Sequence, residues 1–157
     1  IKSNIIIENW DQKKELLDEL INLYENMQKE KNFSGVSSDL IKNLSQKNGK
    51  DWSFNLYNAK IKDKENSNYL NLGMLLSIAH GDTETYTIGV INTLGRKYNA
   101  NYLLLWNAIL ESKKKGLKWF DLGGLNKNTP KGVAHFKRGT NAIPFELIGE
   151  TCFISVI

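Results

Sequence analysis

The sequence predicts an α/β (α+β) protein with a mixed sheet, and three observations point there. The first third carries apolar residues three and four apart. The middle switches to alternation, with Gly81-Asp82 between two apolar stretches. The third observation is an apolar helical run with a strand pattern on each side, from Tyr86 to Leu122.

Taken in order, Ile5-Ile6-Ile7 is an apolar run suited to an edge strand or a domain junction. From Asp11 to about Lys31, Leu16, Leu17, Leu20, Ile21, Tyr24 and Met27 make one apolar face of a helix, with Asp11 as its N-cap. Ser37 or Ser38 caps a short second helix carrying Leu40, Ile41 and Leu44, which Asn48-Gly49 stops. Trp52, Phe54, Leu56 and Asn58 alternate as in a strand. Lys62 to Asn68 is turn-like, and Tyr69–His80 and Thr83–Ile91 form a hairpin around Gly81-Asp82.

The run Tyr102 to Leu110 is apolar on nearly all sides, which predicts a helix buried against the sheet. Lys113, Lys114 and Lys115 fill its last turn, where the helix dipole favours cations, and Gly116 takes the C′ position. Lys118 to Leu122 reads as a strand parallel to the one before the helix, because a strand–helix–strand connection places its strands that way. Thr129-Pro130 opens a short helix, with threonine as N-cap and proline at N1, and Gly139 ends it. Phe145 to Ile157 supplies one or two final strands with a bend at Gly149-Glu150.

A chain of 157 residues, 41% apolar and 24% charged, has room for one domain with a real core. The net charge of +4 permits an anionic ligand without demanding one. Nearly all the cations are lysine, so Arg96 and Arg138 carry more weight, because guanidinium offers a rigid fork. Cys152 stands alone in an apolar run and reads as a small buried hydrophobe. No disulfide within the chain and no cysteine-type zinc site follow from a single cysteine. No apolar run is long enough to span a bilayer, and no signal-peptide pattern opens the chain. Without an initiating Met, it reads as a processed chain or a piece of something longer.

The chain lacks G-x-x-x-x-G-K-[ST], G-x-G-x-x-G after a strand, G-x-S-x-G and H-E-x-x-H, which argues against NTPase, dinucleotide, serine-hydrolase and metalloprotease chemistry. Two places remain. Arg96 and Lys97 precede a helix N-terminus, whose free N–H groups suit a phosphate or carboxylate; the alternative is a plain loop with Asn99 or Asn101 as N-cap. Asp121 closes a parallel strand, a usual place for a reacting carboxylate; it also suits a cap on the Gly123-Gly124 turn.

Four motifs in order, G-D-T-E-T-Y (81–86), N-Y-L-L-L-W-N-A-I (101–109), K-K-G-L-K-W-F-D-L-G-G (114–124) and F-K-R-G (136–139), resemble the GNAT-type domain of the FemABX family. These are aminoacyltransferases that extend peptidoglycan bridges, with relatives among bacterial acyltransferases. The resemblance implies a GNAT-like mixed, mostly antiparallel sheet with a central βαβ unit and flanking helices. It implies one such domain over residues 1–157, either the second half of a tandem protein or a stand-alone relative. It also implies transfer of an acyl or aminoacyl group to an amine of a cell-envelope precursor. The donor would be aminoacyl-tRNA or an acyl-CoA, with no permanently bound cofactor. Possible partners are tRNA and a second GNAT domain, and the place of work would be the cytoplasm, at the inner face of the membrane.

For the residues, the resemblance implies that Lys137 stabilises the oxyanion or orients the activated carbonyl, and that Phe136 stacks on the substrate or shapes the pocket, with Asp121 the third catalytic candidate. Arg138 would hold a phosphate. Ile88 and Gly89 would present backbone to the acyl carbonyl, with Gly89 allowing close approach. Arg96, Asn101 and Tyr102 would line the donor loop. There Arg96-Lys97-Tyr98-Asn99-Ala100-Asn101 departs from the [QR]-x-x-G-x-[GA] pattern of CoA-dependent GNAT proteins, with asparagines where glycines belong. An acetyl-CoA-dependent N-acetyltransferase of an amino sugar or amino acid is the alternative within enzymes. A non-catalytic module binding RNA or protein is the alternative outside them.

Overall fold

Apolar spacing builds the first helix. In this computed structural model, which describes residues 5–47, 49, 51–147 and 149, α1 (Lys14–Lys31) lays Leu16, Leu17, Leu20, Ile21 and Tyr24 into the core. Asp11 is not its N-cap. Gln12 adopts a left-handed backbone (φ 71°) that turns the chain, so Lys13 takes the cap position with no side-chain cap bond. The Asp11 carboxylate pairs with Lys13 at 3.2 Å instead. The second helix, α2 (Ser38–Gln46), starts as expected: the Ser37 hydroxyl accepts the Leu40 N–H at 3.2 Å, and Ile41 is fully buried. Lys47 is its C-cap, and Asn48 lies outside the described residues.

Five strands form one sheet in chain order: β1 (Ile5–Asn9), β2 (Trp52–Lys62), β3 (Tyr69–His80), β4 (Thr83–Ile91) and β5 (Trp119–Asp121). The first three junctions are antiparallel and β4–β5 is parallel. His80 pairs with Thr83, so Gly81-Asp82 is a two-residue turn, and Gly81 supplies its left-handed position (φ 56°). Side chains alternate between the faces. Phe54, Leu56, Met74, Leu76, Ile88 and Val90 pack under α1 and α2.

The connection from β4 to β5 holds two helices. Residues Thr93–Lys97 form the short α3, where a loop was expected, because Asn92 caps it by accepting the Gly95 N–H at 2.7 Å. The long helix α4 (Ala100–Lys114) covers the sheet with Leu104, Leu105 and Ala108. It is not buried all round: Leu103, Trp106 and Leu110 face away, and Trp106 is 60% exposed. Its lysines serve local structure. Lys114 pairs with Glu111 at 2.6 Å, and Lys115 donates to the Asn55 Oδ1.

The chain divides into two units, residues 1–123 and 124–157. In the second, α5 (Lys131–Arg138) begins one residue later than the Thr129-Pro130 reading. Pro130 is the N-cap, with extended backbone, and Thr129 cannot cap because its hydroxyl is bonded to Asn126. Gly139 ends the helix in right-handed conformation, and Asn141 makes the left-handed turn (φ 57°). Residues 142–147 form no strand; no strand among the described residues pairs with them, and Ile143, Phe145 and Leu147 are exposed. The rest of the expected final strands, Glu150 and Cys152 lie outside the described residues.

Candidate active site

Two strands part at the middle of β4. The β3–β4 register passes from Ser77 opposite Tyr86 to Leu76 opposite Ile88, so Thr87 is an extra residue on β4, a bulge that bends the strand. Beyond it the parallel partner is gone: β5 pairs only with Thr83, Glu84 and Thr85. From Tyr86 to Ile91, β3 is the sole neighbour of β4 among the described strands. The other edge of that segment faces no described strand, and it lies at the C-terminal end of a parallel pair.

Of the predicted residues in the first unit, Ile88 has its side chain in the core (2% exposed), out of reach of a ligand. Gly89 is half-buried, and the space above it is filled by the protein itself: a Cβ there would meet the Tyr86 hydroxyl oxygen at 1.6 Å. Burial pushes the Tyr86 phenol up to about 12. Asp121 pairs in register with Thr85, where the strands separate, and its Oδ1 accepts the Gly123 N–H at 2.7 Å. The turn-capping role foreseen for it is therefore present.

Around the α3–α4 junction, Arg96 is exposed in the last turn of α3, not in a loop. Asn99 is the N-cap of α4 with φ 53° and ψ 36° and no side-chain cap bond. This left-handed backbone is one that asparagine adopts more readily than other residues with a Cβ. Asn101 is half-buried and Tyr102 36% exposed on the first turn of α4.

The second unit holds the remaining three. Phe136 and Lys137 are half-buried on α5, and the Lys137 ammonium donates to the Gly124 carbonyl at 2.9 Å. Arg138 is exposed at the end of the same helix. Val133, Phe136 and Lys137 occupy one side of α5 by their spacing, and Lys131, His135 and Arg138 the other.

Sequence reasoning missed Glu84. Its carboxylate is fully buried, yet it accepts from Ser77 Oγ (2.5 Å), from Asn55 Nδ2 (3.0 Å) and from the Ser112 hydroxyl. It thus ties β2, β3 and α4 to β4, one residue before the last β4–β5 pair. Beside it, Tyr57 has its phenol raised by burial first and by the Glu84 and Glu111 charges next. The available signal was a lone polar residue within each apolar pattern, Ser77 in β3 and Ser112 on the Leu104–Leu105–Ala108 face. Among the described residues no cluster of His, Cys, Asp or Glu is arranged to hold a metal, and no helix is long and apolar enough to cross a membrane.

A mixed sheet opened between its two parallel strands, with helices on both faces, is the GNAT fold. Residues 7–154 match the FemAB family, and the chain belongs to that family. No curated protein matches the sequence. Among solved structures, FemX is similar with a TM-score of 0.68 at 14% identity, over 87% of this chain and 50% of that one. This chain thus spans half the length of FemX. An aminoglycoside acetyltransferase, meta-AAC0020 from an uncultured soil metagenomic sample, solved with sisomicin, is similar with a TM-score of 0.63 at 17% identity, over 98% of this chain and 97% of that one.

Proposed function

We propose that this chain transfers an acyl or aminoacyl group to an amine of a bacterial cell-envelope precursor, with Phe136, Lys137 and Asp121 as its catalytic residues. The family match over residues 7–154 carries the reading. In the reaction, the amine nitrogen bonds to the donor's carbonyl carbon and an oxyanion forms. The bond to the leaving group, a ribose oxygen or a thiolate, then breaks, and the amine's proton passes to a base. The oxyanion needs a donor already in place. The Lys137 ammonium meets that need: its present acceptor, the Gly124 carbonyl, is an oxygen of the same type as the donor's acyl oxygen. Phe136 shapes the pocket, and Asp121 orients the amine or receives its proton. The β4 backbone at Ile88 and Gly89 lies against the acyl group, and Arg138 holds a phosphate of the substrate.

The donor in this reading is aminoacyl-tRNA. The chain works in the cytoplasm at the inner face of the membrane, as one GNAT-like domain of a tandem protein; the match to half of FemX supports that arrangement. A second reading has its own support. Asn99 keeps a glycine-type backbone at the start of α4, where Arg96, Asn101 and Tyr102 would receive a pyrophosphate, and a stand-alone acetyltransferase matches the chain almost end to end. That reading is acetyl-CoA-dependent N-acetylation of an amino sugar or amino acid. Calorimetric titration with acetyl-CoA, followed by transfer assays with charged tRNA, tests both. Tight acetyl-CoA binding with acetyl transfer sinks the first reading, and aminoacyl transfer without acetyl-CoA binding sinks the second.

A further inference from the structure

We infer that the second unit carries a phosphate-binding cleft, walled by Lys127, Lys131, His135 and Arg138, that takes the phosphoester group of a substrate. The identity of that substrate rests on the acyl-transfer reading; the binding itself does not. Lys131, Ala134, His135 and Arg138 follow one another at three and four residues, so one face of α5 is basic along its length. The loop before the helix folds back on itself, with the Thr129 hydroxyl accepting the Asn126 N–H at 2.9 Å and the Thr129 N–H bonded to the Asn126 carbonyl at 3.1 Å. That places Lys127 in the facing wall. Between loop and helix lies a cleft of about 700 Å³ lined by these four residues together with Asn126, Thr129, Ala134 and Gly139.

Its charge is unbalanced. No carboxylate lines the cleft, and Glu146 is the one acid among the described residues of this unit. In the first unit Lys13, Lys60, Lys114 and Lys118 each face a carboxylate. Among the described residues no such pair involves Lys127, Lys131 or Arg138. Like charges converging on one cavity repel, and an anion reverses the sign of that energy. Arg138 adds the planar fork that grips two phosphate oxygens at once, while the lysines act as point charges. The cleft has room for more than one phosphate, so a diphosphate or two successive phosphodiesters fit it equally by chemistry. The same helix bears Phe136 and Lys137, which links anchoring of the substrate to the proposed reaction centre.

The test uses the full chain and two probes, inorganic pyrophosphate and a short single-stranded RNA, followed by amide NMR shifts and calorimetry. Binding of either probe should shift amides within 126–139. Lys131→Gln with Arg138→Gln should raise Kd at least tenfold, and Lys127→Gln, away from the helix, should weaken binding independently. RNA binding with a steep salt dependence assigns the phosphate to an RNA donor; binding of pyrophosphate alone assigns it to a diphosphate-linked molecule. Shifts elsewhere in the chain, or a Kd unchanged in folded variants, overturn the cleft. Acyl transfer by a protein that binds neither probe overturns it too and leaves the acyl-transfer reading standing. Binding without any transfer supports the cleft and removes that reading.

Discussion

The Tyr86 hydroxyl occupies the space that a side chain at Gly89 would need, 1.6 Å from where its Cβ would lie, with the ring carbon bearing it at 2.7 Å. The bulge at Thr87 creates this arrangement, because it brings Tyr86 and Gly89 to the same face of β4 three residues apart. Gly89→Ala must therefore displace the ring, and should cost about 1–3 kcal/mol in urea unfolding. In a Tyr86→Phe background the nearest atom is gone and the cost should fall. Equal costs in the two backgrounds would show that the ring does not set the requirement for glycine.

The same tyrosine gives a pH dependence. Its folded value is raised from 10.0 to about 12 by burial, so folding favours the protonated phenol. That contribution is complete below pH 10 and is lost as the pH rises from 10 towards 12. Tyr86→Phe should flatten the alkaline fall of stability in this window by about 2–3 kcal/mol. Parallel pH profiles of wild type and variant, followed by urea unfolding from pH 8 to 12, would contradict it.

Glu84 concerns the point where the strands part. Removing its carboxylate leaves the Ser77, Ser112 and Asn55 donors without their common acceptor and opens a cavity between β4 and α4. Glu84→Ala should destabilise by about 3 kcal/mol and Ser112→Ala by about 1 kcal/mol. Since both act through one network, the double variant should lose less than the two together. Strict additivity in a thermal or urea series would mean that the serine and the glutamate act separately.

Legibility in the sequence followed the range of the interactions. The α1 stripe, the Ser37 cap and the Gly81-Asp82 turn depend on residues a few positions apart, and all are found where the pattern puts them. Asp11 and Thr129 suited the composition of helix caps but not the backbone, since a left-handed Gln12 and a bond to Asn126 redirect them. The bulge at Thr87 and the end of β5 pairing at Asp121 depend on register between strands, which no local pattern carries. Glu84 takes partners 7, 28 and 29 residues away, so it looked like one more polar residue in a threonine-rich strand. Phe136 and Lys137 were legible only through resemblance to a family; by spacing alone they are one side of a basic helix end.

Lys137 tests the reaction itself. Its ammonium is held on the Gly124 carbonyl at 2.9 Å, within the second unit, and Lys137→Ala removes both that tether and the proposed oxyanion donor. Loss of one such donor typically lowers the chemical step by about 10²–10³. Single-turnover aminoacyl transfer should fall by that factor while binding of the donor changes little, because the contact strengthens only as the oxyanion forms. Lys137→Arg keeps the charge but not the point-like ammonium geometry, and should recover only part of the rate. A thermal unfolding comparison separates the loss of the tether from the loss of chemistry. If Lys137→Ala transfers at the wild-type rate, Lys137 is a structural residue of α5 and the oxyanion donor lies elsewhere. If the rate falls only together with donor affinity, Lys137 binds the donor in the ground state and does not act on the transition state.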